Sequence, residues 1–213
     1  LAPMLERAGA NVFMPRERDY QRNEVIVDND QTEYTKGQYL ETGKFSNTKS
    51  YGFAYNQIVY HEHENPFRHG SHRVAKTENK ETATACWVPE IPEDGWYWVS
   101  IAYETEKKSI PDAKYTVRHS AGETTFRVNQ QMGGGTWIYL GQFYFRKGSD
   151  AEHASVVLSN ESDHRGVVVA DAVRFGGGMG NVARRPATDA EIALLEDEKD
   201  RERKISIFEK EEY

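Results

Sequence analysis

Pro92-Glu-Asp-Gly-Trp-Tyr-Trp-Val-Ser-Ile101 decides how this chain is read. It opens on a Pro/Asp/Gly turn signal, and strict alternation follows. Tyr97, Val99, Ile101 and Tyr103 fall on one side of the implied strand, while Trp96, Trp98 and Ser100 fall on the other. Period 2 with aromatic and β-branched residues on both faces predicts a strand with one face in a core and one face of mixed use.

The same period extends outward. Residues 82–88, 96–104, 113–119, 124–130, 136–146, 153–159 and 166–175 read as strands. Pro89, Ala121-Gly122, Gly133-Gly-Gly135, Lys147-Gly148 and Glu161-Ser-Asp163 punctuate them. Shorter strands are expected at 39–42 and 72–77, and no crossover helix is legible between them. The pattern therefore predicts a mainly β fold, an antiparallel, jelly-roll-like β-sandwich over 35–178. Alternation in 136–146 puts Trp137, Tyr139, Phe143 and Phe145 opposite Ile138, Leu140 and Tyr144. The last strand carries one acid, Asp171, on a Val/Phe face, where it is expected to accept hydrogen bonds from loop N–H groups.

The flanks change period. In 1–34, Leu1, Met4, Leu5 and Ala8 are spaced as on a helix, Gly9 stops it, and Val12-Phe13-Met14 reads as a short strand. This predicts a short α/β N-terminal flank. In 179–213, Thr188-Asp-Ala-Glu191 is a capping box that opens a charged C-terminal helix beyond a linker.

Net charge at pH 7 is −7, so no broad basic surface exists for phosphates and no nucleic-acid partner is expected. No apolar run approaches the roughly 18–20 residues that a membrane span needs. One cysteine, Cys86, excludes an internal disulfide framework and reads as an inert thiol in a strand.

Chemistry is sparse. His61-Glu-His-Glu-Asn-Pro-Phe-Arg-His69-Gly-Ser-His72 gathers four imidazoles, so His61, His63, His69 and His72 are candidate metal ligands. Pro66 and Gly70 interrupt the segment, and a solvated polar loop is the plainer reading, with no cofactor expected. No nucleophile context and no phosphate loop is present. The aromatic load is more telling. Trp137 and Tyr139 are the first candidates for a carbohydrate-stacking platform, followed by Trp87, Trp98 and Tyr144. Core packing is the competing reading for each ring.

Residues 35–178 resemble the golvesin-C-terminal/xanthan-lyase-type domain, described as carbohydrate-binding-like. The resemblance lies in the 92–101 stretch, in Lys114-Tyr-Thr-Val-Arg-His119, Thr125-Phe-Arg-Val-Asn-Gln-Gln131 and Gly134-Gly-Thr-Trp-Ile-Tyr-Leu-Gly141, and in Val167-Val-Val-Ala-Asp-Ala-Val-Arg-Phe175. It implies a sandwich with no enzymatic activity. Leu5-Glu-Arg-Ala-Gly-Ala-Asn-Val-Phe-Met-Pro-Arg-Glu-Arg-Asp19 resembles a helix–strand segment of zinc-dependent N-acetylmuramoyl-L-alanine amidases, with Arg16 and Asp19 matching an Arg-x-x-Asp. That implies a sandwich inserted in an amidase-like protein. The leading expectation is a bacterial module, secreted, periplasmic or on the cell surface. It would bind a polysaccharide or peptidoglycan, or position a cell-wall hydrolase within a parent protein. A structural or protein–protein module is the first alternative. Part of an amidase whose catalytic residues lie outside this chain is the second.

Overall fold

In a computed structural model, residues 21–33, 35–54 and 65–177 are described. The predicted helix–strand flank, the C-terminal helix, and His61 and His63 lie outside the described residues.

Twelve strands occur among them: β1 (Gln21–Asp28), β2 (Gly37–Thr42), β3 (Ser46–Asn47), β4 (Arg73–Lys76), β5 (Thr84–Pro89), β6 (Gly95–Ile101), β7 (Ala113–His119), β8 (Gly122–Val128), β9 (Ile138–Phe145), β10 (Ser155–Ser159), β11 (Val167–Ala170) and β12 (Ala172–Gly177). They build a four-stranded sheet in the order β1-β12-β6-β9 and a five-stranded sheet in the order β2-β5-β10-β7-β8. A three-stranded sheet, β11-β4-β3, completes the set. Neighbouring strands pair antiparallel. The architecture is the antiparallel sandwich that the alternation predicts. Among the described residues, no helix is long and apolar enough to cross a membrane.

The main core fills the space between the two larger sheets. Val25, Val27, Tyr97, Val99, Ile101, Phe143, Phe145, Val173 and Phe175 meet Ala85, Trp87, Tyr115, Val117, Val156 and Leu158. Trp87 is fully buried; it stacks on Tyr115 at 6.4 Å and its indole N–H donates to the Asp171 carbonyl at 2.9 Å. One buried amide is fully matched. The Gln130 amide donates to Tyr115 Oη and the Val169 carbonyl, and it accepts from Val169 N–H at 2.9 Å. Such matching avoids the roughly 1–3 kcal/mol cost of an orphaned buried group.

Two turns show local chemistry choosing the backbone. The β7–β8 hairpin turns through Ser120 and Ala121 and closes on Gly122, at φ +124°. Gly37 opens β2 at φ +143°, where a Cβ would sit 2.2 Å from the Val88 carbonyl oxygen, so only glycine fits.

Three features differ from simple alternation. First, the sheet takes in β1, upstream of residue 35; Val25 and Val27 face the main core while Ile26 packs on the other side. Second, the stretch expected as one strand over 166–175 breaks at Asp171. β11 pairs with β4, whereas β12 pairs with β1 and β6. Asp171 anchors the break. Its carbonyl accepts from Asn29 N–H and the Trp87 indole, and its buried carboxyl accepts from Phe53 N–H at 3.1 Å. Third, β9 carries a bulge. Val99 pairs with Gly141 but Ser100 pairs with Tyr139, leaving Leu140 as the extra residue.

A candidate glycan platform

The bulge reassigns faces. Ahead of Leu140, Ile138 packs on the main core; after it, Phe143 and Phe145 do. Tyr139, Gln142 and Tyr144 therefore share the outer face, opposite Ser100, Trp98 and Trp96 of β6. Strict alternation had placed Tyr139 with the core residues Phe143 and Phe145 and Tyr144 on the opposite side. The inserted residue shifts the parity and brings the two tyrosines together.

The result is a patch of four rings on one pair of strands. Trp96 meets Tyr144 edge-on, at 5.8 Å and 78°, and Trp98 meets Tyr139 at 6.4 Å and 74°. Trp96 is 61% exposed and Tyr139 41% exposed. Trp98 and Tyr144 are half-buried. Gln142 stands opposite Trp98, exposed, among these rings. From residue 96 to residue 100 the strand runs roughly 13 Å, room for a short run of linked sugar rings. The exposed parts of these rings offer apolar surface on which the C–H groups of a pyranose can stack, and the amide supplies both a donor and an acceptor for hydroxyls.

One end of the patch is closed. Trp137, two residues before Tyr139, is only 5% exposed. Phe53 and Phe67 cover it edge-on at 4.9 and 5.7 Å, and with Ile26, Ala102 and Ala172 they form a second, smaller core on the outer face. The Arg174 guanidinium lies 4.8 Å from the centre of the Trp137 ring and pairs with Glu24 at 3.7 Å, both side chains buried. The covering segments are clamped by paired Gly52 and Gly70 backbones. Asn65 caps the 3-10 turn Pro66–Arg68 by accepting from Phe67 N–H.

Of the candidate platform residues, the structure brings together Tyr139, Trp98 and Tyr144 and separates Trp137 and Trp87. Trp87 lies in the main core between the two larger sheets and Trp137 lies beneath the clamped cover, so neither has a face open to a ligand, and the cover is not visible as a local period. Trp96 and Gln142 were missed. The signal for Trp96 was present, since it alternates with Trp98 in the same strand.

Of the four candidate histidines, His69 and His72 are among the described residues. His72 is buried, its Nδ1 2.7 Å from the Tyr51 carbonyl and its Nε2 3.1 Å from both Thr48 Oγ1 and the Glu106 carboxylate, while His69 is exposed. Among the described residues no group of three or more His, Cys, Asp or Glu is placed to hold a metal. Burial pushes the half-buried Cys86 thiol above its usual range, which disfavours the reactive thiolate. Burial likewise raises the carboxyls of Asp28 and Asp171; Asp30 raises Asp28 further, and Asp28 raises Asp171 further.

The model of the Golvesin C-terminal domain family matches residues 25–177. A curated xanthan lyase from Bacillus sp. (strain GL1) is 33% identical over 98 residues, which is 45% of this chain and 10% of that protein. A solved structure of Paenibacillus xanthan lyase aligns with a TM-score of 0.55 at 26% identity, over 75% of this chain and 13% of that one. The chain thus spans about a tenth of the length of the curated relative it matches. A looser likeness, TM-score 0.43 at 13% identity, is to a Podospora anserina β-(1,4)-mannanase described as GH26-CBM35.

Proposed function

Because the chain belongs to the Golvesin C-terminal domain family, we propose that it is a non-catalytic module, spanning the β-sandwich, that holds a polysaccharide for a larger bacterial extracellular protein. The observation that carries this reading is the outer-face patch of Trp96, Trp98, Tyr139 and Tyr144 around the exposed Gln142. The similarity to xanthan lyases makes xanthan the first ligand to try. Peptidoglycan is the second, from the expectation of a cell-wall role.

Stacking by one or two rings, each worth about 1 kcal/mol, supports modest affinity, in the micromolar to millimolar range. The test is retention in affinity gels, followed by calorimetric titration. The panel is xanthan, mixed-linkage β-glucan, xylan, β-mannan and solubilised peptidoglycan. Trp96→Ala and Tyr139→Ala should each weaken binding while leaving melting nearly unchanged. Wild-type protein that is retained by no member of the panel at millimolar sugar would overturn the reading.

A second reading has its own observation. On the outside of the five-stranded sheet, Leu40, Cys86 and Val157 line up in register, and Leu40 is 48% exposed. An apolar row of this kind suits contact with another part of the parent protein. Binding of a polysaccharide that survives Leu40→Asp but not Trp96→Ala would assign the two faces separately.

A further inference from the structure

We propose that the platform takes the end of a glycan chain and not its middle, an inference that rests on the polysaccharide-binding reading above. Exposure drops at one end of the patch. It is 61% at Trp96, 41% at Tyr139 and 5% at Trp137. The fall is abrupt because Phe53 and Phe67 stand over Trp137, so a ligand lying flat on Tyr139 meets their segments head-on. The flank towards β12 is closed as well. Ser100 is 3% exposed, and Arg174, its register partner on β12, is 1% exposed with the Trp137 ring over it. β9 ends its sheet, with Ser120 of the β7–β8 turn donating to the Tyr144 carbonyl beside it, and beyond Trp96 lies the exposed turn at Pro92, Glu93 and Asp94.

A surface blocked at Trp137 and leading to an exposed turn beyond Trp96 is closed at one end. A polymer can lie on it along the strands only if the chain stops at the Trp137 block. The sugar nearest the block, over Tyr139, is then the terminal one. Sugars further out run past Trp98 and Trp96 towards the open turn.

The proposal fixes an order of subsites that can be read from ligand length. Each linear polysaccharide of the panel that is retained is titrated intact, after partial hydrolysis at equal mass, and as its disaccharide and longer oligomers. If only xanthan is retained, the comparison is between xanthan and xanthan trimmed of its side-chain terminal sugars. Binding sites per gram are expected to rise with the number of chain ends, and trimming is expected to abolish xanthan binding. For a disaccharide, Tyr139→Ala should cost about tenfold in affinity and Trp96→Ala less than about twofold, whereas longer oligomers should lose affinity in both variants. Tyr139→Phe, which keeps the ring, should retain most of the affinity. Equal sites per gram before and after hydrolysis, or a disaccharide that depends on Trp96 as much as on Tyr139, would overturn end recognition and leave polysaccharide binding standing. Failure of every member of the panel to bind would remove the underlying reading, and this inference with it.

Discussion

Replacing Trp137 by alanine separates a core ring from a binding ring. The side chain is 5% exposed and touches Phe53 and Phe67 within 6 Å between ring centres. Truncating a buried tryptophan costs roughly 3–5 kcal/mol through lost transfer energy and the cavity left behind. Here the loss is weighted to the upper part of that range. The buried Arg174 guanidinium would lose the ring beneath it, and the small outer core has few neighbours able to collapse inward. For a chain of this size each kcal/mol lowers the melting temperature by about 2–4 °C, so a drop of roughly 6–20 °C is expected. Tyr139→Ala, two residues on and 41% exposed, should change stability by about 0.5 kcal/mol or little more. Urea unfolding and calorimetry of the two variants beside wild type make the comparison. A Trp137→Ala protein that melts within about 2 °C of wild type would refute the assignment of this ring to the core.

Other outcomes follow from the same geometry. The Asp28 and Asp171 carboxyls are raised by burial, Asp28 further by Asp30 and Asp171 further by Asp28, so the folded state keeps protons that the unfolded chain releases above about pH 4; stability contributed by this pair therefore declines as pH rises from there. Asp28→Asn should flatten the stability-versus-pH curve between acid and neutral pH by up to about 1.4 kcal/mol per pH unit, measured as the difference from wild type; an unchanged slope counts against the pair. Gly70→Ala would place a Cβ 1.9 Å from the Phe53 carbonyl oxygen, so the clamp should open and Trp137 emission shift to the red, whereas an unshifted spectrum would show that the cover holds without it. Deleting Leu140 should remove the bulge and leave Tyr139 and Tyr144 four residues apart on the same face, so glycan retention should survive in protein that remains folded by circular dichroism, and loss of retention is the contrary result. Purified protein should release no peptide from muramyl peptides, with or without zinc, and chelator-sensitive release is the contrary result.

Much of the fold is legible because period 2 is a local property. The 113–119 strand and the Ala121-Gly122 hairpin can be read residue by residue. β1 was harder. Val25-Ile26-Val27 buries both faces, so it shows no alternation, and its partner lies some 150 residues away. The platform is less legible for two reasons. A bulge such as the one at Leu140 has no composition of its own, yet it reverses the face of every later residue in the strand. The cover on Trp137 comes from residues 53 and 67, which are remote in sequence, so Trp137 and Tyr139 look alike until tertiary contacts distinguish them. The Asp171 break was hidden by the continuous apolar run of 167–175, though an acid within such a run is itself a mark of a carboxyl held by backbone donors.

The pairing of β1 with β12 bears on how such a module travels between proteins. Gln21 lies opposite Gly177 at the outer end of that ladder, so the polypeptide enters and leaves the sandwich at neighbouring points, about 5 Å apart. A host chain interrupted there keeps its two halves within one strand spacing and need not be rebuilt around the newcomer. The same pairing places both ends of the sandwich, Gln21 and Gly177, in β1 and β12, the two strands of the four-stranded sheet furthest from the β9 edge that borders the ring patch. Entry, exit and ring patch thus lie at opposite margins of one sheet.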